Sequence, residues 1–179
     1  MTFDRQVHAV GLDEILASKE ARMKRQQEWL RRHSAPLLSF TVNIPGPYKL
    51  TSNSHKVFEQ GVEAISRLCK HHDCDIVARQ LVTKNTGPEG LFVVNAVSAS
   101  VLKKWMIQIE TQHPLGRLMD LDVIGTDGKI ISRQGEQMPR RKCFICEQDA
   151  VVCARSRRHS LDELNRAIDD MVKEHECSA

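Results

Sequence analysis

Polar and apolar residues alternate from Ser39 to Ile44, with Phe40, Val42 and Ile44 on one side and Ser39, Thr41 and Asn43 on the other. A period of two predicts a half-buried strand. Pro45-Gly46-Pro47 ends it, because proline fixes φ and lacks the donor a ladder needs. Between Ser54 and Lys70 the period changes. Val57, Phe58, Gly61, Val62, Ile65, Leu68 and Cys69 form one stripe of a helix. Ile76 to Val82 reads as a strand, Lys84 to Gly90 as a loop, and Leu91 to Val97 as a central strand, apolar almost throughout. Val101, Leu102, Trp105, Met106 and Ile109 mark a third helix. Thr111 to Gly116 then turns the chain into a strand around Asp120, and Thr126-Asp127-Gly128-Lys129 makes a tight hairpin to Ile130 and Ile131.

Both ends of the chain read as helices. Leu12 to His33 carries Asp13 and Glu14 at its positive end and Arg31 and Arg32 at its negative end. Its apolar content is thin, which suits a clasp over the domain or an interface. Ser160 and Glu163 have capping-box spacing, and Leu161, Leu164, Ile168, Met171 and Val172 follow as a helical stripe. Strands interleaved with helices and closed by a hairpin indicate an α/β or α+β fold. We assign the α+β class: one domain over 1–179 with a mixed β-sheet flanked by helices.

The chain of 179 residues is long enough to bury a core, and its 41% hydrophobic and 27% charged content is that of a globular protein. Aromatics make up only 4%, which disfavours base stacking as a binding mode, so no nucleic-acid partner is expected. A formal charge of +3 is mild, but Arg140, Arg141, Lys142, Arg155, Arg157 and Arg158 crowd one stretch, which points to an anionic partner. No apolar run approaches the roughly 20 residues that span a bilayer. Nor does the N-terminal stretch resemble a signal peptide. The expectation is a cytoplasmic protein without a membrane partner, whose six cysteines are thiols or metal ligands rather than disulfides.

Asp120 and Asp122 lie two apart in His113-Pro114-Leu115-Gly116-Arg117-Leu118-Met119-Asp120-Leu121-Asp122-Val123-Ile124. On a strand both carboxylates leave one face, while Met119, Leu121 and Val123 fill the other. Paired carboxylates repel, and a divalent cation with hard-oxygen preference, Mg²⁺ or Mn²⁺, relieves that repulsion while it binds phosphates. A polar strand face that merely meets solvent is the alternative. Arg117 is either a phosphate-binding turn residue or a solvated one, and Arg133 either reaches the same pocket from the hairpin or is an exposed strand end. His113 is a turn residue or a base beside the acidic pair.

Cys143, Cys146, Cys153 and His159 have the spacing of a tetrahedral structural Zn²⁺ set, with buried thiols, a packed loop or a redox pair as the other readings. Arg155, Arg157, Arg158 and His159 precede the capped C-terminal helix, where free N–H groups and the helix dipole favour phosphate. A solvated basic turn is the alternative.

Asn43-Ile44-Pro45-Gly46-Pro47, Thr86-Gly87-Pro88-Glu89, His113 to Arg117 with Asp120-Leu121-Asp122, Pro139 to Cys143, and Cys153-Ala154-Arg155-Ser156-Arg157-Arg158-His159-Ser160 together resemble the holo-citrate lyase synthase family, the apo-citrate lyase phosphoribosyl-dephospho-CoA transferases. The resemblance covers about Leu12 to Met171. It implies transfer of the phosphoribosyl-dephospho-CoA group from a triphosphate precursor, triphosphoribosyl-dephospho-CoA, to a serine of the citrate lyase acyl carrier (gamma) subunit, with release of pyrophosphate. It also implies Asp120 and Asp122 as Mg²⁺ ligands, and Arg117, Arg133, Arg155, Arg157 and Arg158 as contacts to the triphosphate. A nucleotidyltransferase-like fold follows by analogy. The chain departs from that pattern in lacking a Gly-Ser turn before the acidic pair, and a third carboxylate is open between Asp75 and Asp127. Two other classes compete: a zinc-stabilised basic nucleic-acid-binding module, and a non-catalytic citrate lyase assembly factor.

Overall fold

Strands with alternating or continuous apolar character must bury one face or both, and four of them here share a single sheet. The computed structural model describes residues 8–96, 98–133 and 140–178. Its elements in chain order are α1 (Leu12–His33), β1 (Leu37–Val42), α2 (Ser52–His71), β2 (Ile76–Lys84), β3 (Gly87–Val94), α3 (Ala99–Gln112), a 3₁₀ turn at Gly116–Leu118, β4 (Met119–Ile124), α4 (Ala150–Ser156) and α5 (Leu161–Ser178). The strand order is β2-β3-β1-β4, and each of the three pairings is antiparallel. The α+β class therefore holds, with an antiparallel rather than a mixed sheet. Each strand enters beside its partner from the opposite direction, so no crossover between parallel strands is needed.

Alternation sorts the strand residues between two layers. Leu38, Phe40, Phe92, Val94, Met119, Leu121 and Val123 form the main core with Val57, Phe58 and Ile65 of α2, Leu102, Met106 and Ile109 of α3, and Ile168 and Val172 of α5. The Phe40 and Phe58 rings stack with centroids 4.9 Å apart. A Cβ at Gly61 of α2 would lie 2.3 Å from Phe40 Cζ, so only glycine lets the helix seat so closely on the sheet. On the other layer Leu37, Leu91, Val93 and Ile124 pack under Trp29 and Leu30 of α1. The N-terminal helix is thus the expected clasp, lying on the sheet face opposite α2, α3 and α5.

Several boundaries move. Strand β1 spans Leu37–Val42 rather than running to Ile44, because β3 and β4 offer partners only along that length. The expected loop from Lys84 to Gly90 shrinks to a turn at Asn85-Thr86, and Gly87-Pro88-Glu89-Gly90 joins β3. Gly87 accepts φ +106 to close that hairpin. Pro88 is tolerated because β1 pairs with β3 only from Glu89 onward. Val97 and Pro139, included in the strand and in the basic motif above, lie outside the described residues, as does the N-terminal stretch before His8. The capping box at Ser160 is formed, with Ser160 N donating to Glu163 Oε2 at 2.6 Å and Glu163 N to Ser160 Oγ at 3.2 Å.

Candidate active site

Register places the acidic pair on the α1 side of the sheet. Asp120 faces Thr41 and Asp122 faces Ser39 across β1 and β4, while Thr41 faces Glu89 across β1 and β3. Asp120, Thr41 and Glu89 thus form one row over three strands, pointing to one face. Met119, Leu121 and Val123 between them are fully buried on the other face. The expected division of this strand is what the structure shows.

Helix α1 crosses this face and answers its charges. Arg25 Nη2 lies 2.5 Å from Glu89 Oε2, Ser18 Oγ donates to Glu89 Oε1 at 3.0 Å, and Arg22 Nη1 stands 3.9 Å from the same oxygen. Gln26 Nε2 donates to Ser39 Oγ at 3.0 Å. Glu89 is the third carboxylate of the face, and sequence reasoning missed it by treating its segment as loop. Its one signal was its place in Thr86-Gly87-Pro88-Glu89. Neither earlier candidate is there: Asp75 precedes the edge strand β2, and Asp127 sits in the exposed turn beyond β4, accepting from Lys129 N at 3.0 Å.

Strand β4 is a sheet edge, and side chains complete its outer hydrogen bonds. Lys103 Nζ donates to Leu121 O at 2.8 Å, Leu121 N donates to Glu110 Oε1 at 2.9 Å, Arg141 Nη2 donates to Met119 O at 2.9 Å, and Ile131 N donates to Val123 O at 2.8 Å. Edge groups left bare would template another strand. The same contacts place cations around the acids. Arg141 Nη2 is 3.5 Å from Asp120 Oδ1 and 2.7 Å from Glu110 Oε1. Burial, and then the charge of Asp120, hold the Asp122 carboxyl above the usual carboxylate range, with Lys103, Arg141 and Arg22 pulling it partly back. Burial pulls the Lys103 ammonium below its ordinary value, against the attraction of Asp122 and Asp120. Two adjacent carboxylates on one strand face form a hard-oxygen donor set that fits Mg²⁺ or Mn²⁺.

The other predicted residues divide. Arg133 donates to Glu110 Oε2, so its guanidinium serves a buried carboxylate on α3. Arg117, in the 3₁₀ turn, donates to Cys143 O, and its buried Nε has no hydrogen-bond partner among the described residues. With Arg141, Lys142, His159 and Asn43, Arg117 lines a cleft of about 190 Å³. Arg155, Arg157 and Arg158 are exposed at the end of α4 and do not line it. A larger hollow of about 450 Å³, between Ile44, Tyr48, Asn53 and Asn165, contains none of the acidic-face residues. His113 is not a base beside the pair. It caps α3 on the other side of the sheet, where its Nδ1 accepts from Leu115 N at 3.0 Å and its ring meets His175 at 5.4 Å. The turn that carries it points back toward α2 and α5.

An α+β domain with two strand carboxylates among arginines has the makings of a phosphate-handling transferase. The family model for apo-citrate lyase phosphoribosyl-dephospho-CoA transferase matches residues 10–175. A probable apo-citrate lyase phosphoribosyl-dephospho-CoA transferase from Vibrio cholerae serotype O1 is 55% identical over 171 residues, 96% of each chain. Proteins named apo-citrate lyase phosphoribosyl-dephospho-CoA transferase in Shigella boydii serotype 18 and Escherichia coli O157:H7 are each 43% identical over 160 residues, covering 89% of this chain and 87% of theirs. The chain belongs to the apo-citrate lyase phosphoribosyl-dephospho-CoA transferase family.

Proposed function

We propose that this chain attaches the phosphoribosyl-dephospho-CoA group to apo-citrate lyase, and that the acceptor is a serine of its acyl carrier subunit. The reaction is a nucleotidyl-type transfer. The serine oxygen bonds to the phosphorus nearest the ribose of the triphosphate precursor, the bond to pyrophosphate breaks, and the serine proton is released. Asp120 and Asp122 would hold Mg²⁺, which when bound neutralises phosphate charge. The observation that carries this reading is the projection of both carboxylates from one sheet face, with Arg141 3.5 Å from Asp120.

The chain's own groups then position the reactants. Arg141 restrains Asp120 from one side, and α1 sets Arg22 and Arg25 against Glu89 on the same face. Arg117 and Lys142 give the neighbouring cleft a cationic wall for a polyanionic substrate or its leaving group. Such chemistry gains most of its rate from placement and electrostatics. No helix among the described residues is long and apolar enough to cross a membrane. A cytoplasmic site of action fits a carrier substrate and a nucleotide donor.

Purified protein, Mg²⁺, the triphosphate precursor and apo-carrier should yield carrier heavier by the prosthetic group on intact-mass spectrometry. Folded protein that produces no adduct overturns the transferase reading. An Asp120→Asn variant labelling the carrier at the normal rate overturns only the assignment of the metal ligand.

A further inference from the structure

The Sγ atoms of Cys143, Cys146 and Cys153 and a ring nitrogen of His159 all lie within 4.8 Å of one another. We propose that these four side chains bind one Zn²⁺ as a closed structural site, and that the ion holds the 141–159 segment, with Arg117 and Arg141, against β4. The inference does not rest on the reaction proposed above, and its readouts are independent of transfer.

Cys146 Sγ is 3.4 Å from Cys153 Sγ and 3.3 Å from His159 Nε2. Tetrahedral zinc, with bonds of about 2.3 Å to sulfur and 2.0 Å to nitrogen, sets its donors roughly 3.5–3.8 Å apart. The cluster is therefore close to metal spacing before any ion draws it together. Three local structures deliver the ligands. Cys143 and Cys146 sit on a turn closed by the Lys142–Asp149 bridge and by Cys143 N donating to Gln148 O at 2.8 Å. Cys153 is buried on α4. Arg157, at φ +48, ends α4 and turns the chain so that His159 folds back onto the sulfurs.

A further contact suits a thiolate at Cys143. Ile145 N donates to Cys143 Sγ at 3.4 Å, the kind of outer-shell contact that supports a thiolate ligand. Sulfur and imidazole donors select zinc over hard cations such as Mg²⁺. Four protein ligands leave no position open for substrate, which makes the site structural rather than catalytic. Binding converts three thiols to thiolates and releases three protons, leaving a net charge of −1 on the ion and its ligands. Lys142, Arg155 and Arg158 flank the ligands in the chain and oppose that charge.

The segment is tied to the acidic strand at two places. Arg117 donates to Cys143 O, and Arg141, whose own carbonyl accepts from Ala150 N at 2.9 Å, reaches Met119 O, Glu110 and Asp120. Fixing the ligand loop therefore fixes both arginines.

The test uses the full chain purified without chelator. Elemental analysis should find about one zinc per chain. X-ray absorption should show three sulfurs and one nitrogen around it. Cys146→Ser should lose the metal and raise hydrogen exchange across 141–159, while the amides of β1 and β3 stay protected. His159→Cys should keep the metal with four sulfurs around it, and the control Cys177→Ser, at an exposed cysteine outside the cluster, should keep it unchanged. Folded wild-type protein that contains no zinc and takes none up when it is added overturns the proposal. So does an intact mass lower by two hydrogens that maps to a Cys146–Cys153 disulfide. Should Cys146→Ser fail to fold, the wild-type zinc count and the His159→Cys spectrum decide.

Discussion

The two faces of one sheet do different work with neighbouring residues of the same strands. Under α2, α3 and α5 the sheet presents Phe40, Phe92, Leu121 and Val123, all fully buried. Under α1 it presents Ser39, Thr41, Glu89, Asp120 and Asp122, answered by Arg22, Arg25, Gln26 and Ser18. The first face stabilises by area and shape. On the second, desolvated charge has to be balanced, and the balance is incomplete at Asp122. Substitutions on the two faces should therefore separate stability from activity.

The largest effect belongs to the dry face. Phe40→Ala should cost about 3–5 kcal/mol by opening a cavity against Phe58, read as a lower midpoint in denaturant titration. Transfer per folded molecule should stay within a few-fold of wild type. Asp122→Asn should do the reverse. Transfer should fall roughly 100- to 1,000-fold, about 2.7–4 kcal/mol of barrier, in the carrier-labelling assay. Its Tm should hold or rise slightly, because the substitution removes a charge that burial and Asp120 oppose. A Tm collapse for Asp122→Asn would erase the distinction between the faces.

Gly61→Ala tests how tightly the dry face is packed. The added methyl would overlap the Phe40 ring, and the expected loss is about 1–3 kcal/mol in thermal or denaturant unfolding. The smallest effect is on pH dependence. Burial, then the charges of His175 and Arg67, hold His113 below its ordinary 6.5, with Glu63 pulling the other way. The folded protein thus binds that proton less readily than the unfolded chain. The neutral imidazole contributes stability that is complete above pH 6.5 and is lost as pH falls through the folded-state value. His113→Gln should flatten that part of the profile, read from denaturant midpoints on either side of pH 6.5.

Much of this was legible in the chain. The α1 boundaries, the Ser160–Glu163 cap, the hairpin at Thr126–Lys129 and the division of β4 into acidic and apolar faces depend on local periodicity and capping, and the structure has them all. Glu89 was hidden because its strand begins with glycine and proline, which locally signal a loop, and only pairing with β2 and β1 overrides that signal. Arg133 was assigned to phosphate because its partner, Glu110, lies on a helix 23 residues away.

Sequence alone determined what alternation, spacing and motif likeness can carry: the α+β class, the family, a pair of carboxylates on one strand face, and four residues with zinc spacing. Tertiary structure decided which groups meet. It laid α1 across the acidic face, committed Arg133 and Arg141 to Glu110, put His113 in the other layer and drew Cys143, Cys146, Cys153 and His159 together. The physical reason is range. Periodicity and caps act over a few residues, whereas burying a charge requires a counter-charge that chain folding supplies from any distance along the sequence. Asp120 and Asp122 share a face because of the strand they lie on, and Asp120 has Arg141 as a neighbour because of how the chain packs.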